Sequence, residues 1–239
     1  MDLTAKAGAL TDFSVLDNPV LSALTGPHAR FAERHGQVLR YPAEIGPFLA
    51  LPDRPDETTW RDLAEFAGPG AEVVVTAGTV APPADWEVLA EFQAVQMIDD
   101  GVVAAPDDEA VRLGPDDVPE MLDLVKRTEP GPFRERTIEL GTYLGIRRDG
   151  KLAAMAGERM RPPGWTEISA VCTDPAFRGQ GLGGRLVRAV AAVIRERGDT
   201  PFLHATATNP AVGLYESLGF RVHRRPVFVA TRVPCLEPA

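Results

Sequence analysis

A predicted strand, a glycine-rich loop and a predicted helix follow one another late in the chain, and this order constrains the fold more than any other feature. The strand covers Thr166–Thr173 and the helix covers Gly181–Arg197. The loop and the first helical residues read Arg178-Gly179-Gln180-Gly181-Leu182-Gly183-Gly184. Glycine lets the backbone approach a ligand closely, and the free N–H groups of a first helical turn attract phosphate. The sequence therefore predicts a loop that binds a phosphorylated cofactor.

Two common phosphate-binding loops fit this stretch poorly. A nucleotide-hydrolase loop needs a lysine after its last glycine, and none follows here. Gly179, Gly181 and Gly184 satisfy the dinucleotide pattern G-x-G-x-x-G, but that pattern belongs after the first strand of a βαβ unit and needs an acidic residue at the tip of the next strand. The corresponding residue, Asp199, lies before that strand. ATP, GTP and NAD are therefore disfavoured as ligands.

A third pattern, Arg/Gln-x-x-Gly-x-Gly/Ala, is satisfied at every required position from Arg178 to Gly183. A second segment, Asn209–Phe220, contains Asn, then Leu-Tyr-Glu, then Gly-Phe. Together these elements resemble the acyl-CoA signature of the GNAT superfamily of N-acyltransferases, and the resemblance extends over roughly Val111–Val233. The amino-acid sequences of residues 155–160 and 166–171 are similar to those of the glycine-N-acyltransferase-like branch.

The resemblance implies an α/β (α+β) fold, with a mixed, mostly antiparallel sheet flanked by helices. Residues 111–239 are expected to form the acyl-CoA-binding catalytic domain. The turn-rich residues 101–110 are expected to form a linker. Residues 1–100 are interpreted as a smaller α/β half, for which a degenerate acyltransferase-like domain is one alternative.

By the same resemblance, the chain is expected to be an N-acetyltransferase that transfers acetyl from acetyl-CoA, its cosubstrate, to a primary amine of a small molecule or peptide by direct attack. The backbone from Arg178 through Gly179, Gln180, Gly181, Leu182, Gly183 and Gly184 is expected to hold the pyrophosphate. The edge of Val171, Cys172 and Thr173 is expected to pair with the pantetheine amides, as an added strand would. The alternative is a non-catalytic acyl-CoA-binding regulatory or interaction protein.

Four side chains are candidates for the chemistry. Asn209 is expected to hydrogen-bond the pantetheine arm, and Tyr215 is expected to protonate the departing thiolate. Glu167 is the candidate base, with a pKa expected to be raised by partial burial, and Glu158 is its rival. Cys172 as an acyl-enzyme nucleophile is disfavoured, because a cysteine in an apolar strand usually serves packing.

Composition narrows the partners and the setting. The net charge of -9 argues against nucleic acid or an anionic membrane as the main partner. Five arginines near the loop predict a local basic patch: Arg178, Arg185, Arg188, Arg195 and Arg197. Two cysteines and no recognisable leader favour a reducing cytoplasm, and the four histidines lack metal-site spacing. A homodimer is possible. The segments expected to form the acceptor groove carry no readable motif, so the acceptor is not predicted.

Overall fold

The computed structural model describes residues 12–77 and 81–235. The helices within these ranges are α1 (Pro19–Leu24), α2 (Glu57–Ala67), α3 (Val118–Thr128), α4 (Leu182–Glu196) and α5 (Val212–Ser217). The strands are β1 (Glu33–His35), β2 (Val38–Arg40), β3 (Leu49–Ala50), β4 (Glu72–Ala77), β5 (Glu87–Asp99), β6 (Val111–Arg112), β7 (Tyr143–Arg148), β8 (Lys151–Glu158), β9 (Trp165–Thr173), β10 (Thr200–Thr206), β11 (Phe220–Arg224) and β12 (Val227–Arg232). The predicted strand before the glycine loop and the predicted helix after it are both present, as β9 and α4, and their ends differ from the prediction by at most one residue.

Local sequence signals explain several element boundaries. Asp56 caps α2 by accepting a hydrogen bond from the backbone N–H of Thr59 at 2.8 Å. Asp149 and Gly150 join β7 to β8 with φ values of 52° and 77°. Positive φ at both positions is what a type I′ hairpin turn requires. The Asp149-Gly150 sequence, a common one for this turn, therefore joins the two strands in a hairpin.

Among the described residues, one large sheet contains nine strands in the order β4-β12-β5-β10-β9-β8-β7-β6, with β11 also pairing with β5. β9 and β10 run parallel, whereas the other pairs are antiparallel. The expected mixed, mostly antiparallel sheet is confirmed. A separate three-stranded sheet is formed by β1, β2 and β3.

The position of β5 changes the interpretation of the amino half. This strand precedes the expected linker at residues 101–110, yet it lies between β10 and β12 of the carboxyl half. β4 pairs with β12 in the same sheet. The division into residues 1–100 and 111–239 therefore does not separate two sheets, because β4 and β5 of the amino half join strands of the carboxyl half.

The two faces of the large sheet are covered differently. On one face, α4 packs its apolar side over Val95, Ile168 and Leu203. On the other face, α3 covers β8 and β9, and the segment around Leu16 covers Ile98, Phe202 and Trp165. Residues alternate between faces along a strand, so Gln96, Glu167 and His204 lie on this second face. A cavity opens there between the carboxyl and amino halves.

Candidate active site

A cavity of about 960 Å³ lies on the second face of the sheet. The carboxyl half supplies the ends of β9 and β10, the segment Thr208–Ala211 and Tyr215 to its wall. The amino half supplies the segments around Leu16 and Phe48 and parts of β4 and β5. The volume is within the range of pockets that bind small molecules.

β9 and β10 part at the cavity. They pair from Trp165 and Thr200 as far as Ile168 and Leu203, and no pairing continues beyond that point. β10 instead follows β5 as far as Thr206. The edge of β9 that faces away from β8 is therefore open along Ser169–Thr173, and these residues line the cavity.

A β-bulge marks the point at which β9 leaves β10. Met155 and Gly157 of β8 are two residues apart, whereas their partners Cys172 and Ser169 are three residues apart. The extra residue is accommodated near Ala170, which has a φ of 52°, unusual for a residue with a side chain. Bulges redirect backbone groups and occur often beside functional sites. The strained residue thus coincides with the open edge.

The glycine loop leads from the cavity wall into α4. Gly179 and Gly181 have φ values of 78° and 74°, which favour glycine, and the helix begins directly after Gly181. Within the described part of the chain, no acceptor bonds the backbone N–H groups of residues 179–184. A Cβ at Gly183 would lie 3.6 Å from Thr173 Oγ1, so the first helical turn adjoins the open edge of β9. The loop has the free donors that an anion requires.

Three further side chains predicted from the sequence line the same cavity: Cys172, Asn209 and Tyr215. Asn209 Oδ1 accepts from the backbone N–H of Ala211 at 2.8 Å. Burial, and then the neighbouring Cys172, raise the pKa of Tyr215 to about 12, so its phenol is protonated at neutral pH. Burial raises the pKa of the Cys172 thiol to about 11, which argues against a nucleophilic thiolate.

Glu167 differs from its sequence-based interpretation. The side chain is fully buried and absent from the cavity wall. Arg159 binds it through two hydrogen bonds, Nε to Oε2 at 2.8 Å and Nη2 to Oε1 at 2.6 Å. Burial opposes ionisation, but the charge and hydrogen bonds of Arg159, together with His204, outweigh it and hold the pKa of Glu167 well below its usual range. The expectation of a raised pKa is therefore wrong.

His204 is the functional candidate that the sequence reasoning missed. It lines the cavity, and its Nδ1 lies 2.7 Å from Glu167 Oε1. The side-chain amide of Gln96 donates to the carbonyl of Leu16 at 2.9 Å and contacts His204 Nε2 at 3.0 Å. Because the amide nitrogen can only donate, Nε2 accepts and Nδ1 carries the proton. The network thus orients the imidazole, with Nδ1 towards Glu167 and Nε2 towards the Gln96 amide.

The feature that would have identified His204 is the pairing register of β9 and β10. Phe202 is opposite Glu167 in the parallel pair of β9 and β10, so His204 lies on the same face, two residues farther along. The sequence predicts both strands but not their register. Without it, His204 is one histidine among four.

Glu158 and the predicted basic patch also differ from expectation. Glu158 is buried, binds Arg197 at 3.2 and 3.0 Å, and does not line the cavity. Arg185 and Arg195 likewise pair with carboxylates, those of Asp107 and Glu109 and that of Asp99, respectively. In the described ranges, Arg178 and Arg188 lack a carboxylate within 4.0 Å, so the basic patch is smaller than predicted.

The described residues contain no group of three or more His, Cys, Asp or Glu side chains placed to hold a metal ion. None of their helices combines the length and apolarity needed to cross a membrane.

Comparison with known proteins decides the family. A crystal structure from Novosphingobium aromaticivorans, assigned as an acetyltransferase of the GNAT family, is 42% identical, with a TM-score of 0.82. The alignment covers 90% of this chain and 97% of that protein. The chain belongs to the GNAT family. A protein-family model described as FR47-like protein also matches residues 143–229 of this GNAT protein.

Other relatives cover different shares of this GNAT protein. The N-alpha-acetyltransferase RimI of Mycobacterium tuberculosis is 36% identical over 97 residues, which are 38% of this chain and 60% of that relative. A GCN5-related N-acetyltransferase from Kribbella flavida is 14% identical, with a TM-score of 0.60 over 90% of this chain and 95% of its own, and shares the fold. None of these relatives supports the non-catalytic alternative.

Proposed function

We propose that this GNAT protein transfers an acetyl group from acetyl-CoA to a primary amine of a small molecule or peptide. The observation that carries the proposal is the open backbone edge of β9, from Ser169 to Thr173, beside a loop whose N–H donors have no acceptor in the described chain. An extended amide chain that ends in a pyrophosphate matches both features. Acyl-CoA has this composition.

In the proposed complex, the amides of residues 179–184 bind the pyrophosphate, with Arg178 beside them. The pantetheine amides pair with the edge of Val171, Cys172 and Thr173, as an added strand would. Asn209 Oδ1 is already bonded within the protein, so its Nδ2 is the group that donates to the pantetheine arm. These contacts direct the thioester towards the point at which β9 and β10 separate.

The amine nitrogen then attacks the thioester carbonyl carbon. A C–N bond forms, the C–S bond breaks, and the thiolate takes a proton from Tyr215. The phenol suits this role because its raised pKa keeps the proton in place until the thiolate develops. No hydrogen bond within the described chain occupies the Tyr215 hydroxyl.

The proton lost by the amine goes to Nε2 of His204 in this proposal, directly or through a water that exchanges with the Gln96 amide. Glu167 was predicted to be the base, but both of its carboxylate oxygens accept hydrogen bonds from Arg159. Oε1 also accepts a hydrogen bond from His204 Nδ1. We therefore assign Glu167 a positioning role. Its carboxylate orients the imidazole and stabilises the imidazolium.

Finer assignments also remain proposals. Placement in the glycine-N-acyltransferase-like branch is supported by the amino-acid sequences of residues 155–160 and 166–171. A cytoplasmic setting is supported by Cys172 and Cys235, which are both free thiols. The homodimer stays a possibility, and the absence of nucleic-acid and membrane partners stays a prediction from composition.

The test combines binding with turnover. Calorimetric titration with acetyl-CoA should show micromolar binding, and thiol release should follow when amines are added. We expect Tyr215→Phe to retain binding and lose about 10²-fold in kcat, the usual contribution of a general acid. Tyr143→Phe is the matched control, because its buried hydroxyl also lacks a partner but lies outside the cavity wall. Absence of acetyl-CoA binding would refute the proposal.

A further inference from the structure

An aromatic row leads away from His204 along the sheet. The rings of His204 and Phe228 have centroids 6.5 Å apart, in an edge-to-face arrangement. Phe228 in turn stacks on Phe92, with centroids 5.4 Å apart and ring planes 12° apart. Phe228 is the direct cross-strand partner of Phe92 on β5 and of Thr76 on β4. All three rings line the cavity.

The far end of this row is open to solvent. Phe92 is 39% exposed and Val74, also in the cavity wall, is 37% exposed. We call Val74, Phe92 and Phe228 the aromatic shelf. Covering such apolar surface is favourable in proportion to the area removed from water. The shelf and the open edge of β9 line one cavity, so a molecule that attacks the thioester has this apolar surface within the same cavity.

The charges of the wall restrict what that molecule carries. Arginines 159, 178 and 224 line the cavity, whereas its carboxylates are Asp17 and Glu129. Asp17 is bound to Arg224 at 2.7 Å. The described wall therefore lacks the cluster of free carboxylates that would neutralise an acceptor with several positive charges.

We propose that the aromatic shelf binds the apolar group of the acceptor, and that the acceptor is a small monoamine with an aromatic or branched aliphatic group. The inference rests on the proposed function and specifies its substrate class. The nitrogen lies at His204 and the apolar group lies over Phe228 and Phe92. The short separation of these rings accommodates a spacer of two or three carbons.

The shelf can be tested by binding, without turnover. 2-Phenylethylamine is titrated calorimetrically into the protein saturated with CoA, which cannot acetylate it. Phe92→Ala should weaken binding about tenfold, as expected for losing one side of an apolar pocket. Phe13→Ala is the matched control, because Phe13 is also 39% exposed but lies outside the cavity wall, and it should leave the affinity unchanged.

A second variant protects the test against a folding defect. Val74→Thr keeps the shape of the side chain on an exposed strand position and should weaken binding by about threefold. Thermal unfolding of each variant shows whether it folds like the wild type. Equal affinities for the wild type and both folded shelf variants would overturn the inference.

Turnover tests the substrate class. Thiol release from acetyl-CoA is compared for 2-phenylethylamine, ethanolamine, spermidine and a tripeptide amide. We expect kcat/KM for 2-phenylethylamine to be at least about tenfold higher than for the others, and Phe92→Ala to remove most of this preference. Preference for spermidine, ethanolamine or the peptide would overturn the inference. Failure to bind CoA would instead refute the proposed function. The amine titration, repeated on the free protein, would still show whether the shelf binds the apolar group of the amine.

Discussion

In the complex that we propose, the two ends of the cavity recognise their ligands with different parts of the chain. At the cofactor end, backbone groups of residues 169–184 offer their donors and acceptors, all within one short stretch. At the acceptor end, side chains from distant segments meet, among them Gln96, His204 and Phe228. A backbone site within one stretch leaves a sequence pattern, whereas a side-chain site assembled across strands depends on register. This difference explains why a sequence motif indicates a cofactor, whereas no motif indicates an acceptor.

The largest expected effect comes from removing the segment that builds the acceptor end. Residues 111–239 expressed alone lack β4 and β5, which leaves β12 without either of its partner strands and β10 with β9 alone. We expect no cooperative thermal unfolding by circular dichroism, in contrast to the full chain. A cooperative transition together with CoA binding would show that the cofactor end folds alone, and would turn the comparison into one between two domains.

The next effect concerns the buried network beneath the acceptor end. Glu167→Gln leaves Arg159, whose side chain is only 12% exposed, without its counter-charge. Breaking such a pair typically costs about 3 to 5 kcal/mol in the free energy of unfolding, which denaturant titration would measure. A loss below about 1 kcal/mol would contradict this account.

Glu158→Gln is the matched control for Glu167→Gln. Its partner Arg197 is more exposed and keeps Asp199 at 3.3 Å. The expected loss is about 1 to 2 kcal/mol, the range for one hydrogen bond to a charged group. Thiol release should fall for Glu167→Gln and change little for Glu158→Gln.

Acid sensitivity should originate in the amino half. Burial, and then the charge of Arg30, lower the pKa of His28 to about 4 from its usual 6.5. The unfolded chain therefore binds this proton more readily, so the stability from His28 is present above pH 6.5 and is lost as the pH falls towards 4. The full effect is about 3 kcal/mol.

Denaturant titrations between pH 7 and 4.5 would measure this loss. The plot of unfolding free energy against pH should be flatter in His28→Gln than in the wild type. The slope should change less in His223→Gln, because the burial that lowers the pKa of His223 is only partial. An unchanged slope in His28→Gln would place the acid sensitivity elsewhere.

The smallest effect separates two glycines at the cofactor end. Gly181→Ala forces a side chain into a left-handed conformation and should cost about 1 kcal/mol of stability. Gly183→Ala meets only ordinary contacts at 3.6 and 3.8 Å, and the sequence pattern accepts alanine there. It should leave stability within about 0.5 kcal/mol of wild type. Thermal unfolding and CoA titration of both variants measure this difference, and equal losses would contradict it.

The sequence predicted those parts of the fold that depend on local chemistry. The Asp149-Gly150 turn, the strand before the glycine loop and α4 all have signals within a few residues. It did not predict that β5 lies between β10 and β12, since such pairing is set by contacts between residues far apart in sequence. The same limit explains the pKa of Glu167. The carboxylate was visible, but Arg159 and His204 became its partners only through the register of neighbouring strands.

The position of β5 also bears on how the protein is made. Gln96 of this strand bonds His204, which is synthesised 108 residues later. Until β10 and β12 leave the ribosome, a long strand carrying Val88 and Phe92 has no partner along either edge. Unpaired apolar strands promote aggregation, and pairing over such sequence distances is slow. We therefore expect the nascent chain to depend on chaperones until β10 and β12 are synthesised.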